Sequence, residues 1–282
     1  LGKVKVFSDS TCDLPPHLVE RHQIGIVPLY VLFNDKSYQD GVDITTPELY
    51  KAVEATGSLP KTAAPSPVDF IQAFQPHIDA EEDIIYIGLS SEFSATFNNA
   101  RLAAQEFPAG RIEIVDSRNL STGIGLLVMK AVDFASEGMD VHTIAKKIQA
   151  LVPLVETEFI IDTLDYLHKG GRCSGTTRLV GNMLKIRPSI KVVDGKMVPA
   201  QKHRGSRKKA LDGLLANAIK HKGNISPTRV FITHSISEDG PYLKEKLLEQ
   251  IDVEEIIITQ AGCVISSHCG ENTIGILFVK TE

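Results

Sequence analysis

Hydrophobic positions in the first half of the chain cluster in short runs at residues 4–7, 25–33, 84–89 and 112–115. Between them, apolar residues recur every three to four positions. Short apolar runs bounded by turn residues predict buried strands, and 3.6-residue stripes predict helices, so this alternation predicts a largely parallel α/β sheet. Thr46 with Pro47 reads as one helix start and Ser66 with Pro67 as another. Behind Ser66, Phe70, Ile71, Phe74 and Ile78 share one stripe and belong to the core. A further stripe, Val141, Ile144, Ala145, Ile148 and Leu151, leads through Pro153 to the strand-like Phe159-Ile160-Ile161.

The pattern then changes. Asp194-Gly195 separates two strand-like runs at 190–193 and 196–199, the signal of a tight hairpin, so antiparallel pairing enters here. Strands at 230–233, 255–259 and 274–279 and a helix around 242–248 follow. The chain is therefore read as α/β with two domains. Residues 1–156 form a largely parallel sheet flanked by helices, and 157–282 a mixed α+β domain. A length of 282 residues suffices for two such cores.

The strand at 84–89 runs into Ser90, Ser91, Ser94 and Thr96. Strand ends in open α/β sheets line the crevice where ligands bind, so these hydroxyls are candidates to hold a polar or anionic head group. Similar segments are Ser8-Asp9-Ser10-Thr11, Thr62 to Ser66, and Ser266-Ser267-His268. Each also has an ordinary explanation as a cap or turn. Ser66 is read as a cap, whereas Thr62, four residues earlier, is free to point elsewhere. His268 lies in a glycine-rich passage and can donate to a ligand oxygen. Gly170-Gly171 reads as a helix stop, with Arg172 beyond it within reach of a ligand.

Charge narrows the choices. The formal net charge of -5, with both signs intermixed, excludes a general nucleic-acid binder. The one basic tract, 202–209, reads as a solvated helix start. Cys12, Cys173, Cys263 and Cys269 lack paired metal or redox spacing and read as free thiols; the dispersed histidines suggest no metal site. No phosphate-binding loop is present, and Gly123-Ile124-Gly125 lacks the third glycine of a dinucleotide fingerprint, so no cofactor is expected. No signal-peptide or membrane-span segment follows the first strand, which makes a cytoplasmic protein the expectation. A serine-dependent esterase or acyltransferase would use Ser94 or Ser267 with His268 as base, yet neither serine lies in a Gly-x-Ser-x-Gly elbow.

The ordered motifs Ser8-Asp9-Ser10-Thr11-Cys12-Asp13-Leu14-Pro15, Tyr38-Gln39-Asp40-Gly41-Val42-Asp43-Ile44, Lys61-Thr62 with Pro65-Ser66, and Ser90-Ser91 with Ser94 and Thr96 continue along the whole chain. Asp116-Ser117, Gly123-Ile124-Gly125, Asp162-Thr163-Leu164, Lys169-Gly170-Gly171-Arg172 and His268 before Gly270 complete the set. It resembles the DegV family of bacterial fatty-acid-binding proteins. The resemblance implies two α/β domains, a long acyl chain in an interior tunnel, and its carboxylate near the domain interface at Thr62, Ser94 and His268. Ser91, Arg172 and Ser267 are candidate accessory ligand contacts from residue type.

It further implies a binding subunit, itself no enzyme, that presents the carboxylate to a separate ATP-dependent fatty acid kinase chain. Arg204 or Arg207 would dock that partner, their charges projecting outward from a helix opened by residues 202–209. Transient membrane contact is compatible with this role, as is a lipid-sensing regulatory one. The chain departs from the family pattern at Ala63, Ala95, Cys269, Glu271 and Asn272, and Arg187-Pro188 replaces a more usual Lys-Pro.

Overall fold

A computed structural model describes residues 3–33, 36–173 and 186–281. Residues 1–2, 34–35, 174–185 and 282, the first and last of which are the outer ends of the two sequence-defined domains, lie outside the described residues.

Strands β1 (Val4–Asp9), β2 (Gly25–Val27), β6 (Asp83–Gly88) and β7 (Ile112–Asp116) form a parallel sheet in the order β2-β1-β6-β7. The apolar run at 25–33 is two strands, not one. Pro28, which has no N–H to give a ladder, separates β2 from β3 (Tyr30–Phe33). Strand β3 instead pairs with β4 (Lys36–Gln39) and β5 (Lys61–Ala63) in a small antiparallel sheet, an element that the alternating pattern does not reveal.

Helix α1 (Pro16–Arg21) connects β1 to β2. The next, α2 (Thr46–Thr56), is capped by Thr45 rather than Thr46. Thr45 and Glu48 form a reciprocal capping box, while the Thr46 hydroxyl donates to the Ala261 carbonyl at 2.8 Å. Helix α3 (Pro67–Asp79) starts at Ser66 as its sequence predicts, and Phe70, Phe74 and Ile78 are buried. Helix α4 (Thr96–Ala104) follows the serine-rich loop.

Helix α5 (Thr122–Ser136) carries apolar residues on nearly every side, which hides its helical period. The reason is its position between the parallel sheet and a second, larger one, with α6 (Val141–Leu151) alongside it.

The second sheet has six strands: β8 (Val155–Ile160), β9 (Ile186–Val193), β10 (Lys196–Arg204), β11 (Ile225–Ser235), β12 (Glu255–Gln260) and β13 (Thr273–Lys280). Their order is β10-β9-β8-β13-β11-β12, antiparallel except for β11 with β12. A division between residues 156 and 157 falls inside β8. The largest core cluster also draws on both halves, joining Ile85 and Ile124 to Phe159 and Phe231.

Residue parity gives this sheet two faces. Thr157 and Phe159 of β8, Thr233 and Ser235 of β11, and Thr273, Gly275 and Leu277 of β13 look toward the first half of the chain. Ile160, Ile232, Ile274, Ile276 and Phe278 look the other way, into a separate core. Helices α8 (Arg207–Ile219) and α9 (Gly240–Leu248) cover that core.

The predicted hairpin is present, with φ of 49° at Asp194 and 80° at Gly195. Its tip docks on the first half: Ser90 Oγ donates to Gly195 O at 2.9 Å, and the Arg118 guanidinium donates to Asp194 O. A Cβ on Gly195 would lie 2.7 Å from Ser90 Oγ, so the position excludes a side chain by contact as well as by backbone conformation. The basic tract is not one helix start: Lys202, His203 and Arg204 end β10, and α8 begins only after Ser206 caps it.

Candidate functional site

A cavity of about 280 Å³ lies between one face of the six-stranded sheet and the first half of the chain. Leu277, Phe159 and Gly275 contribute its floor, and Leu29, Leu89, Leu120, Phe93 and Val264 much of its walls. Gly275 keeps the middle of the floor low, since it projects no side chain between Phe159 and Thr233, its neighbours across β8 and β11.

Several wall residues are nominally polar, but their hydroxyls are engaged within the protein. Ser121 donates to Asp13 Oδ2 at 2.6 Å, Thr157 to Asn119 Oδ1 at 2.8 Å and Thr273 to Cys269 O at 2.9 Å. Ser235 lies in a chain of hydroxyls with Tyr50 at 2.6 Å and Ser266 at 2.8 Å. A hydroxyl whose proton is already donated offers a ligand little, and a threonine can still present its methyl group. The interior is therefore more apolar than its residue names suggest.

One end is different. Thr62 on β5, Ser94 before α4, Arg172 and His268 line the cavity together. His268 comes from α10 (Cys263–Cys269), and its Nε2 lies 2.8 Å from Thr62 Oγ1. The opposite nitrogen, Nδ1, is buried without a partner against Gly170, whose hypothetical Cβ would approach it to 2.5 Å. Gly170 ends α7 (Asp165–Gly170), and the αL residue Gly171, with φ of 68°, stops the helix as the sequence predicts.

A buried N–H without an acceptor is rarer in proteins than an acceptor short of a donor. We therefore assign the imidazole proton to Nε2, where it donates to Thr62 Oγ1. That assignment leaves the Thr62 hydroxyl proton for a ligand oxygen. Burial, reinforced by the nearby Arg172 guanidinium, lowers the His268 pKa from 6.5 to about 4, so the ring is neutral at neutral pH.

Ser94 accepts from Thr96 N at 3.3 Å, and its Oγ lies 2.8 Å from Thr96 Oγ1. Either hydroxyl can donate in the second contact; with Thr96 as the donor, the Ser94 proton is free for a ligand. Arg172 Nη1 is anchored on Gly170 O at 2.6 Å, which leaves its charge beside the mouth.

Two sequence-nominated contacts are not at this end. Ser91 Oγ turns away to donate to Asp116 Oδ2 at 2.6 Å. Ser267 is buried and donates back along α10 to Cys263 O at 2.6 Å. Neither lines the cavity. Arg207 also departs from its expected outward projection: it pairs with Asp239 at 2.6 Å and with Asp162 at 3.6 Å, and donates to Asn272 O at 2.7 Å. Arg204 is exposed at the end of β10.

Cys269, expected from the sequence to be a free thiol and a departure from the family pattern, also lines the cavity from α10. Burial pushes its thiol up to about 12, so it remains protonated. All four cysteines are buried. Among the described residues, no group of three or more metal-binding side chains could hold an ion, and no helix is long and apolar enough to cross a membrane.

An α/β protein with an apolar cavity between two sheets and hydrogen-bond donors at one end is built to enclose an amphipathic ligand. This chain belongs to the DegV family, whose model, described as an uncharacterised protein family, matches residues 3–281. It is 34% identical over 282 residues to a DegV domain-containing protein of Caldanaerobacter subterraneus, covering 99% of each chain. It is 33% identical over 281 residues to a fatty acid-binding protein of Thermotoga maritima, covering 97% of this chain and 96% of the other. The solved structure of a DegV-family protein of Thermus thermophilus, described by its fatty acid binding, superposes with a TM-score of 0.92 at 30% identity over 99% of each chain.

Proposed function

We propose that this protein binds a long-chain fatty acid, with the tail along the floor formed by Phe159, Gly275 and Leu277 and the carboxylate at Thr62 and Ser94. The observation that carries the reading is that Thr62, Ser94, Arg172 and His268 together line one cavity, in which the hydroxyls of Ser121 and Thr157 are engaged internally. The fatty-acid-binding relatives from Thermotoga maritima and Thermus thermophilus support the same ligand class.

Burying about fourteen methylenes would contribute roughly 11 kcal/mol. Association costs an estimated 4–15 kcal/mol, so the tail supplies most of the drive. A charge-assisted hydrogen bond adds about 1.5–3 kcal/mol and fixes which end of the ligand sits at the mouth. In this arrangement His268 acts through Thr62, holding the hydroxyl so that its proton faces the carboxylate. Ser94 and His268 bond to different partners, Thr96 and Thr62, and Ser267 lies outside the cavity. That pairing favours binding over a serine-dependent hydrolysis.

The direct test is denaturing extraction of purified protein followed by mass spectrometry, with uptake of added palmitic acid measured in parallel. Acyl chains in the extract or saturable uptake support the reading; their joint absence overturns it. Thr62→Val and Ser94→Ala are each expected to weaken palmitate binding by about 1–3 kcal/mol while methyl palmitate, which lacks the charge, binds as before. Equal discrimination between acid and ester in wild type and variants would remove these residues from the head-group site.

The same proposal extends to a partner. A carboxylate held at the mouth is placed for phosphorylation by a separate ATP-dependent kinase, the role that the family resemblance implies for a chain with no phosphate-binding loop. Arg204 is the docking residue proposed for that partner, since Arg207 is occupied within the chain. Arg204→Ala is expected to leave palmitate affinity unchanged and to slow acyl phosphate formation in the presence of kinase and ATP, most strongly at low salt. A loss of palmitate affinity in this variant would contradict a docking role.

A further inference from the structure

Two motifs of the first half, Asp13 after the first strand and Asp40 after β4, meet at the start of α10. Both carboxylates are buried, at 6% and 3% exposure, and both accept hydrogen bonds from the start of α10. Asp13 Oδ1 accepts from Gly262 N at 2.8 Å, and Asp40 takes Cys263 N on Oδ1 at 2.7 Å and Val264 N on Oδ2 at 3.3 Å. The first N–H groups of a helix have no partner within it, so these two side chains fix where α10 begins and in which direction it points.

The same helix carries His268 near its other end and contributes Val264, Ile265 and Cys269 to the cavity. Other contacts hold the start of this helix as well. Thr46 holds Ala261 O at 2.8 Å, Cys263 Sγ reaches Ile44 O at 3.3 Å, and Thr259 Oγ1 donates to Asp13 O at 3.0 Å. Further along, Tyr50 donates to Ser266 O at 3.2 Å, Ser235 Oγ lies 2.8 Å from Ser266 Oγ, and Thr273 donates to Cys269 O at 2.9 Å. A helix of seven residues behaves as one rigid piece, so a tilt at its first turn displaces the imidazole at its last.

We propose that Asp13 and Asp40 are positioning residues for the head-group site, holding α10 so that the His268 ring meets Thr62. The inference rests on the fatty-acid reading above for its functional consequence, though not for its structural one. Asp40 is the more demanding of the pair. Both of its oxygens accept main-chain N–H groups, so an asparagine would turn its NH2 group against one of them. Asp13 spends its second oxygen on the Ser121 hydroxyl at 2.6 Å, and a hydroxyl can rotate to accept from an asparagine NH2 instead. The two isosteric substitutions therefore have unequal consequences.

The test compares Asp40→Asn and Asp13→Asn in the full chain. The first readout is the 15N NMR signature of the His268 ring in ligand-free protein. The second is the ratio of palmitic acid to methyl palmitate affinity. Asp40→Asn is expected to shift the ring signals and reduce the acid preference about tenfold while ester affinity stays within about twofold; Asp13→Asn should change the ratio by no more than about twofold.

Unchanged ring signals in Asp40→Asn overturn the proposal, as does an equal fall in acid and ester affinity, which is the mark of general loosening. Shifted ring signals in a protein whose wild type does not prefer acid to ester would retain the positioning role and sink the head-group reading instead. Should Asp40→Asn not fold, Cys263→Pro removes one of the donors from the other side at a position where proline suits a helix start. A normal ring signature and acid preference in that variant overturn the proposal equally.

Discussion

Leu277→Trp is expected to abolish long-chain fatty acid binding without unfolding the protein. Leu277 is buried on β13, opposite Thr157 on one side and Phe231 on the other, and it belongs to the cavity floor. A larger ring there has existing space to enter, so it avoids most of the roughly 1–3 kcal/mol that overpacking a filled core costs. If the indole displaces about six methylenes of the tail, the loss approaches roughly 5 kcal/mol, or more than three orders of magnitude in affinity.

Ile276, the next residue, supplies the control because it faces the separate core under α8 and α9. Ile276→Val should lower stability by about 1 kcal/mol and leave affinity alone. Titration with palmitate and thermal unfolding of both variants check the pair. Unimpaired binding by Leu277→Trp, or impaired binding by Ile276→Val, would show that the tail lies elsewhere.

That contrast between adjacent residues also explains what the sequence could convey. Period-two alternation reveals a strand with one wet face, but β13 runs Ile274, Gly275, Ile276, Leu277, Phe278 because both of its faces are buried. The strand is therefore legible and its cavity face is not. Helix α5 is obscured for a similar reason, since it is enclosed between two sheets. Features with local chemistry fared better: the Ser66 cap, the Asp194-Gly195 hairpin and the Gly171 helix stop all depend on neighbouring residues alone.

The candidate site divides along the same line. Thr62, Ser94, Arg172 and His268 could be nominated from residue type and resemblance, and the fold gathers them at one mouth. Ser91 and Ser267 were equally plausible by type, but each donates to an acceptor that only the fold supplies or orients, Asp116 in one case and the α10 carbonyl of Cys263 in the other. Arg207 likewise meets Asp162, Asp239 and the Asn272 carbonyl, partners dispersed along the chain. The role proposed for Asp40 depends on a contact across more than two hundred positions, with no local pattern to announce it.

His268 should also make the ligand-free protein sensitive to acid. Its pKa falls from 6.5 to about 4 because folding buries the ring near Arg172, so the unfolded chain takes up the proton more readily than the folded one. The stability associated with the neutral ring is complete above pH 6.5, declines as pH falls toward about 4, and is lost below it. At 1.36 kcal/mol per unit, the loss amounts to about 3 kcal/mol. His268→Gln, which has no such titration, should lack this part of the decline.

Asp9, Asp13 and Asp40 act with the opposite sign. Burial raises the pKa of each, so their contributions favour the folded state below the ordinary carboxylate range and weaken as pH rises through the folded values. For that reason the informative quantity is the difference between wild type and His268→Gln across the range, in which the three aspartates cancel. Bound palmitate should shrink that difference further, because a carboxylate near the ring favours the imidazolium and draws the folded pKa back toward its ordinary value. Urea unfolding at a series of pH values, with and without palmitate, measures all four curves. Parallel curves for wild type and His268→Gln in the ligand-free protein would refute the buried neutral imidazole.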